Sequence, residues 1–382
     1  MKRIYMDNGA TTKVAPEVAK VMKKYFSDSY GNSSSLHKLG RDANKKIEEA
    51  RKIIADSINA EPNEIIFTSG GTESNNLTLK GIAFANEKGS HIIVTKVEHD
   101  CVLNSAKWLE KQGYKITYLN VDTDGFVNEK DLEKSINEKT ILVSIIHGNN
   151  EVGTIQNLEK LGKICRKRNV LFHTDACQSY TKTEIDVKKQ NLDLVTLNSH
   201  KIHGPKGVGA LFIRKGINIT PWQHGGGHEF NLRSGTLNVP GIIGFSEAVK
   251  IANKKDIEHM IKLREKIIEG VFDKISDVKL NGSKKERLCN NINFTFFGIE
   301  GEGIVGYLDE KGICASTGSA CSSNSLEPSH VLQAIGFERK DCNSSLRLTL
   351  SRYNTEKEVD YLLKVLPEII EKLRRFTPYK NV

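Results

Sequence analysis

Apolar segments that alternate with helical segments are the feature that most limits how this chain can fold. Strands of this kind, joined by helices, form a mainly parallel sheet that is covered on both faces. In such sheets ligands bind beyond the carboxyl ends of the strands, so the residues after each strand are candidate site residues. The sequence predicts strands at Ile65–Thr68, Ile92–Thr95, Tyr114–Leu119, Ile141–Ile145, Leu171–Thr174 and Leu194–Leu197.

The length of the chain predicts two domains, because 382 residues exceed what one compact core usually holds. From about Pro240 the pattern changes to a long charged helical stretch followed by shorter strands. We therefore expect a large α/β domain over 14–255. A smaller α+β domain is expected from 1–13 and 256–382, and it carries a polar loop at about 316–328.

Charge and cysteine content exclude several classes of protein. The net charge is +9, but the basic residues occur as scattered pairs with interleaved acids, which is typical of solvated helix faces. No direct binding of nucleic acid is expected. No apolar run reaches membrane-spanning length, and the seven cysteines form no CxxC pair, so a cytoplasmic protein with reduced thiols is predicted.

The turn after the first predicted strand is suited to an anion. Ser69-Gly70-Gly71-Thr72 leads into a helix, where backbone N–H groups and the helix dipole favour negative charge. The spacing is that of neither a P-loop nor a dinucleotide fingerprint, so the phosphate of another cofactor is indicated. Simple helix capping explains the same residues if no ligand binds there.

The later strand ends carry chemistry of other kinds. His99 offers an imidazole that can stack on a flat ring or move a proton, and Asn150 offers an amide. Asp175 is a carboxylate at the end of a buried strand, where it needs a positive partner such as a protonated pyridine nitrogen. Lys201 is either a solvated loop lysine or an amine that forms a Schiff base. Together these groups predict a site for pyridoxal 5′-phosphate (PLP).

Seven short motifs make the chain similar to a known enzyme family. The chain resembles the group I cysteine desulfurases of the NifS/IscS type, within the class V aminotransferases of the fold-type I PLP enzymes. That resemblance implies a large domain with a mainly parallel seven-stranded sheet and a smaller α+β domain. The motifs are Asp7–Thr12, Gly70–Glu73, Val97–His99, Asn149–Glu151, Asp175–Gln178, Ser199–Lys201 and Arg233–Thr236.

The resemblance also implies roles for single residues. Lys201 would bond the cofactor covalently, His99 would stack on its ring, and Asp175 would pair with the ring nitrogen. Thr236 would reach the cofactor phosphate of a neighbouring subunit, which implies a homodimer, and Arg347 would bind the substrate carboxylate. The other residues implied to bind the cofactor are Gly71, Thr72, Asn150, Gln178, Asn198 and His200, and Asn150 would also contact the substrate; the family usually has serine where this chain has Asn198.

Cys321 lies in a small, polar stretch, residues 315–325, that lacks apolar anchors. A thiol in such a loop is available as a thiolate nucleophile, although an incidental loop cysteine has the same sequence signature. The resemblance places Cys321 at the position of the family's nucleophile.

The activity implied is conversion of L-cysteine to L-alanine, with persulfide sulfur left on Cys321. The sulfur would pass to an iron–sulfur scaffold protein or serve tRNA thiolation. The alternatives are a selenocysteine lyase, a related PLP-dependent aminotransferase, or a non-catalytic scaffold, which intact Lys201, Asp175 and Cys321 disfavour. No metal is expected, since the glycines between His224 and His228 do not favour the helix that an i, i+4 ligand pair needs.

Overall fold

The computed structural model describes residues 3–318 and 328–376. Cys321, the predicted nucleophile, therefore lies outside the described residues, as does most of the predicted loop around it. Among the described residues, no helix combines the length and the apolar character needed to cross a membrane.

The described chain alternates strands and helices along most of its length. The strands are Ile4–Tyr5 (β1), Ile65–Thr68 (β2), His91–Thr95 (β3), Lys115–Leu119 (β4), Thr140–Ser144 (β5), Leu171–Asp175 (β6), Leu194–Asn198 (β7), Gly209–Ile213 (β8), Val278–Leu280 (β9), Asn291–Phe296 (β10), Ile313–Cys314 (β11) and Ser345–Thr349 (β12). The helices are Pro16–Ser27 (α1), Lys38–Asp56 (α2), Gly71–Phe84 (α3), Asp100–Lys111 (α4), Glu129–Ser135 (α5), Leu158–Lys167 (α6), Val239–Lys250 (α7), Lys254–Lys274 (α8), Gly301–Glu310 (α9), His330–Ala334 (α10), Arg339–Cys342 (α11) and Glu356–Phe376 (α12).

The central sheet has seven strands in the order β2-β8-β7-β6-β5-β3-β4. Its strands run parallel except for β8, which is antiparallel to both of its neighbours. The carboxyl ends of β2, β3, β5, β6 and β7 therefore meet along one edge of the sheet. The predicted mainly parallel, seven-stranded sheet is confirmed.

Both faces of the central sheet are buried, which explains why its strands are continuous apolar runs. On β3, Ile92 and Val94 pack into a core with α3 and α4, whereas Ile93 between them packs into the core under α2, α6 and α7. This alternation follows from the two-residue period of a strand. Helices on both faces leave the strand ends as the accessible part of the sheet.

A second, smaller sheet lies in the C-terminal part of the chain. Its order is β12-β10-β9, and its pairs are antiparallel. α8 and α12 supply much of its core, to which Met6 from the N-terminal segment also belongs. The predicted domain boundaries at residues 13 and 255 stay a prediction.

Two elements depart from the pattern read from the sequence. That pattern changes near Pro240, but Val239–Lys250 forms α7, which packs on α1 and α2 over the central sheet. Its apolar residues Ile242 and Phe245 join the same core as Ile93. The predicted long charged helix begins at Lys254, two residues before the expected start at Asp256. Asn253 caps it by accepting from the Asp256 N–H at 3.0 Å.

A buried ion pair closes the outer side of β2. Arg51 and Glu229 form a bidentate pair with both nitrogen–oxygen distances at 2.8 Å, and their side chains are 3% and 1% exposed. Arg51 also donates to the Ile65 carbonyl at 2.6 Å, and Glu229 accepts from the Phe67 N–H at 2.6 Å. The pair thus satisfies two backbone groups on the side of β2 that faces away from β8.

The same ion pair anchors a turn with unusual backbone geometry. Glu229, Phe230 and Asn231 have consecutive positive φ angles of 47°, 57° and 66°. Non-glycine residues rarely adopt this conformation, and it persists only where surrounding contacts determine it. The turn leads directly into Arg233–Thr236, so the ion pair fixes the start of that motif.

Replacing Glu229 by Gln should lower the free energy of unfolding by about 3–5 kcal/mol, because the Arg51 charge would remain buried without its partner. Urea denaturation followed by circular dichroism measures this. Glu49→Gln, which removes an exposed pair with Lys46, is the matched control and should change stability by less than about 1 kcal/mol. Equal effects of the two substitutions would contradict the role given to the buried pair.

Candidate active site

The residues predicted from the strand ends do come together at one edge of the central sheet. Asp175 is the last residue of β6 and Asn198 the last of β7, while Lys201 follows in the next turn. His99 follows β3 and is the N-cap of α4, and Gly71 opens α3 directly after β2. Parallel strands thus deliver these side chains from distant points of the sequence to one cleft.

Lys201 lies over the N-terminal segment of the chain. Its Nζ donates to the carbonyl oxygen of Gly9, which also accepts from Gln178 Nε2 at 2.9 Å. Next to it, the His200 carbonyl accepts from the Thr12 N–H at 3.0 Å and from Thr12 Oγ1 at 2.9 Å. Residues 7–12 therefore form one wall of the cleft and hold the lysine turn in place.

Asp175 is held from two sides. Its Oδ2 accepts from Asn75 Nδ2 at 2.7 Å, and its Oδ1 accepts from the Cys177 N–H at 2.9 Å. Only 4% of the residue is exposed. A buried carboxylate that receives hydrogen bonds in this way is rigid and is suited to hold a positively charged group.

Close packing shapes the turn between β2 and α3. A side chain at Gly71 would place its Cβ 2.5 Å from Cys177 Sγ and 3.8 Å from Asn198 Nδ2. A larger residue would have to push the Cys177 thiol aside, so the glycine lets the N-terminus of α3, with Gly71 and Thr72, approach the ends of β6 and β7. Backbone N–H groups at such a helix start are suited to a phosphate.

Positive charge dominates the lysine side of the cleft. Burial, helped by Lys201, Lys206 and Lys182, lowers the pKa of His200 to about 4. Lys182 donates to the carbonyls of Gln178 and Lys201 at 2.8 and 3.3 Å. Among the residues that the structure describes, no carboxylate lies within 4 Å of the Lys182 ammonium. Burial lowers the Lys182 pKa to about 8. An anion would be stabilised by this field.

Several buried polar atoms around the cleft have no hydrogen-bond partner among the described residues. Such atoms are rare in folded proteins and are costly unless a ligand or water completes them. They are Asn75 Oδ1, Glu98 Oε2, His147 Nδ1, Asn150 Oδ1, Asn198 Oδ1, Ser199 Oγ and Arg347 Nε. The distribution fits a site that is completed by a polar ligand.

Arg347 joins the cleft from the smaller sheet. It lies on β12 with its side chain 3% exposed, donates to the Asn150 carbonyl at 3.1 Å, and pairs with Asp7 at 3.1 Å. Two of the predicted substrate-binding residues are therefore in contact. The remaining predicted residue, Thr236, is exposed and follows the Arg233–Glu73 ion pair, whose nitrogen–oxygen distance is 2.8 Å.

Sequence reasoning missed Asn75, Cys101 and Lys182. Asn75 lies four residues after Gly71 on α3 and so faces the same side of that helix, a spacing that could have identified it. Lys182 follows Gln178 by four residues, but nothing in its sequence context indicates that its ammonium points at the lysine turn.

Comparison with known proteins shows which family this chain belongs to. The sequence profile of the family described as aminotransferase class-V matches residues 4–362. The chain belongs to the class V aminotransferase family. The cysteine desulfurase IscS of Dictyoglomus turgidum is 51% identical over 386 residues, covering 100% of this chain and 98% of the relative.

Solved structures show the same fold. A NifS-like protein superimposes with a TM-score of 0.91 at 40% identity, covering 97% of this chain and 100% of the other. SspA in complex with cysteine gives a TM-score of 0.83 at 38% identity, covering 92% and 100% of the chains. The family and the fold class predicted from the sequence are confirmed. No group of three or more histidine, cysteine or acidic side chains among the described residues is placed to hold a metal ion.

Glu98, next to His99, is fully buried and shapes the pH dependence of stability. Its Oε1 accepts from Thr95 Oγ1 at 2.7 Å and from the Ile146 N–H at 2.8 Å. Burial raises its pKa from 4.5 to about 8. The folded state therefore keeps this proton over a range in which the unfolded chain has released it.

Glu98→Gln should accordingly change how stability depends on pH. Wild-type stability relative to the variant should fall as the pH rises from 4.5 to about 8, because only the wild type carries a group at this position that the unfolded chain deprotonates and the folded chain does not. Urea denaturation at several pH values measures this difference. Glu184→Gln, at an exposed position, is the control; a wild type and a Glu98→Gln variant with parallel pH profiles would refute the expectation.

Proposed function

We propose that this protein is a PLP-dependent cysteine desulfurase that converts L-cysteine to L-alanine and leaves the sulfur as a persulfide on Cys321. The activity class predicted from the sequence is confirmed by relatives that match nearly the whole chain, such as the IscS protein at 51% identity. The roles of individual residues are part of the proposal.

The observation that carries the proposal is the cleft at the strand ends. It contains an amine, Lys201, in a positively charged surrounding, a rigid buried carboxylate, Asp175, bonded to Asn75 of α3, and an arginine, Arg347, that contacts Asn150 and Asp7 at the rim of the cleft. An enzyme that acts on amino acids through PLP needs three such groups together. The amine bonds the cofactor covalently, the carboxylate pairs with its ring, and the guanidinium binds the substrate carboxylate.

The groups present fit PLP. The glycine-restricted start of α3 with Gly71 and Thr72, together with His200 and Asn198, would hold the phosphate. Asp175 would pair with the ring nitrogen and His99 would pack on the ring. Gln178 and Asn150 would contact the ring oxygen and the substrate. Asn150 Oδ1 and Asn198 Oδ1 have no hydrogen-bond partner among the described residues, so both are available to a ligand.

When bound, the cofactor supplies an electron sink that stabilises negative charge at the substrate Cα. Lys201 Nζ takes the proton from Cα and returns a proton to the carbon skeleton later in the reaction. His99, which follows β3, would assist these transfers.

Arg347 would orient the substrate by binding its carboxylate. The guanidinium can do so in a fixed direction because Asp7 and the Asn150 carbonyl already hold both of its terminal nitrogens at 3.1 Å. Its buried Nε has no partner among the described residues. A planar guanidinium with forked donors of this kind binds a carboxylate selectively.

Sulfur transfer would then occur at Cys321. Its thiolate attacks the substrate sulfur, an S–S bond forms as the substrate C–S bond breaks, and the carbon skeleton is protonated to alanine. The enzyme is left with a persulfide, so an acceptor must take the terminal sulfur. We propose that an iron–sulfur scaffold protein in the cytoplasm receives it, with tRNA thiolation as a further use.

Cys321→Ser should retain the visible absorbance of bound PLP yet form no alanine and release no sulfide in the presence of a reductant. Absorbance spectra and amino-acid analysis measure the two outcomes separately. Cys314→Ser, on the neighbouring β11, is the matched control and should turn over normally. Normal alanine production by Cys321→Ser would refute the assignment of the nucleophile.

The proposed homodimer with a shared site is testable by mixing two inactive variants. If Thr236 serves the partner's cofactor, a mixed dimer of Lys201→Ala and Thr236→Ala chains contains one intact site and one doubly altered site. Random mixing should therefore restore about a quarter of the wild-type sites, because half the dimers are mixed. Activity and bound PLP after co-refolding measure this. No recovery, in dimers that form normally, would contradict the shared site.

A further inference from the structure

Cys101 occupies a central position between two groups of the cleft. Its Sγ lies 3.0 Å from His99 Nδ1 and 3.1 Å from Asn75 Nδ2, and Asn75 Nδ2 in turn donates to Asp175 Oδ2 at 2.7 Å. We propose that Cys101 is a positioning residue that links His99 to Asp175 through Asn75 and fixes His99 in the tautomer with its proton on Nε2.

The assignment of the tautomer follows from the hydrogen-bond donors. The backbone N–H of Cys101 donates to His99 Nδ1 at 3.2 Å. An N–H group donates only to a ring nitrogen that carries no proton, so neutral His99 holds its proton on Nε2. The thiol S–H, 3.0 Å away, is a second donor to the same nitrogen. Both donors favour one tautomer.

The Asn75 amide completes the link because its orientation is determined. Its NH2 group has one hydrogen for Asp175 Oδ2 and one for Cys101 Sγ. The reverse orientation would put Oδ1 against the carboxylate, where two acceptors repel each other. In the observed orientation Oδ1 is buried without a partner among the described residues, so the contact with Asp175 outweighs the loss at that atom.

The sulfur is suited to this place by its size and its weak polarity. A thiol is a weak donor and a weak acceptor, so it can receive the Asn75 hydrogen and donate to His99 at once. Cys101 is the second residue of α4, which Asp100 begins and His99 caps, so the backbone that carries the thiol is fixed by the helix. A displacement of the Asp175 carboxylate is therefore transmitted through Asn75 and Cys101 to the imidazole.

The consequence for the cleft rests on the proposed function, in which His99 packs on the PLP ring and Asp175 pairs with its nitrogen. Cys101 would then couple these two contacts, because His99 and Asp175 lie at the two ends of one chain of hydrogen bonds. The tautomer itself does not depend on the function, since it follows from contacts within the protein alone.

The tautomer is tested by NMR on the full chain, both without PLP and loaded with it. With 15N-labelled histidine, the His99 signals are assigned by their loss in His99→Gln. In the wild type, Nε2 should show the shift of a protonated ring nitrogen and Nδ1 that of an unprotonated acceptor. A proton on Nδ1 would overturn the inference, whether or not the protein desulfurates cysteine.

The link is tested by Cys101→Ala and Cys101→Ser. The alanine variant should bind PLP about three- to ten-fold more weakly and shift the His99 signals, because two hydrogen bonds are lost. The serine variant, whose hydroxyl can donate and accept, should restore most of both properties. Cys314→Ala, whose thiol on β11 contacts Arg3 and no residue of the link, should match the wild type.

The outcomes separate the two proposals. If Cys101→Ala leaves both the PLP affinity and the His99 signals unchanged, Cys101 is not a positioning residue. If alanine and serine variants are equally impaired in both properties, the thiol acts by packing and the hydrogen-bond link is wrong. If the NMR results are as expected but no alanine forms from cysteine, the proposed function fails and the tautomer assignment stands.

Discussion

The carbonyl oxygen of Gly9 is the point on which the geometry of the cleft depends. It accepts from both Lys201 Nζ and Gln178 Nε2, which come from the ends of different strands. The Gly9 N–H donates to Thr349 Oγ1 at 2.6 Å, so the same residue is fastened to β12 of the smaller sheet. A short N-terminal segment thereby sets the distance between the lysine turn and the strand that carries Arg347.

Charge in the cleft is concentrated because nearby titratable groups are neutral. Burial raises the pKa of Glu98 to about 8 and holds that of the Cys177 thiol well above its usual value. Burial also lowers the pKa of His173, two residues before Asp175, to about 4. Near neutral pH these neighbours carry no charge, so Asp175 and the lysines determine the field that a ligand meets.

Much of this arrangement could be predicted from the sequence, for a definite physical reason. Buried parallel strands leave a long apolar signature, and polar residues directly after them must meet at one edge, so the pattern alone predicts that Asp175, His99 and Lys201 lie together. The antiparallel direction of β8 and the place of α7 depend on tertiary packing, which leaves no such local signal. Cys101 and Lys182 escape prediction for the same reason: their contacts come from other elements, and a lone thiol or lysine is ordinary in sequence.

The ion pair between Arg51 and Glu229 has a consequence for how copies of this protein behave at high concentration. β2 is the outermost strand on its side of the central sheet, and unpaired backbone groups on such a strand can recruit a strand from another molecule. Here the Arg51 guanidinium donates to the Ile65 carbonyl, and the Glu229 carboxylate accepts from the Phe67 N–H. An incoming chain would have to displace a buried pair of charges, one of them carried by α2, so this side of the sheet resists amyloid-like growth.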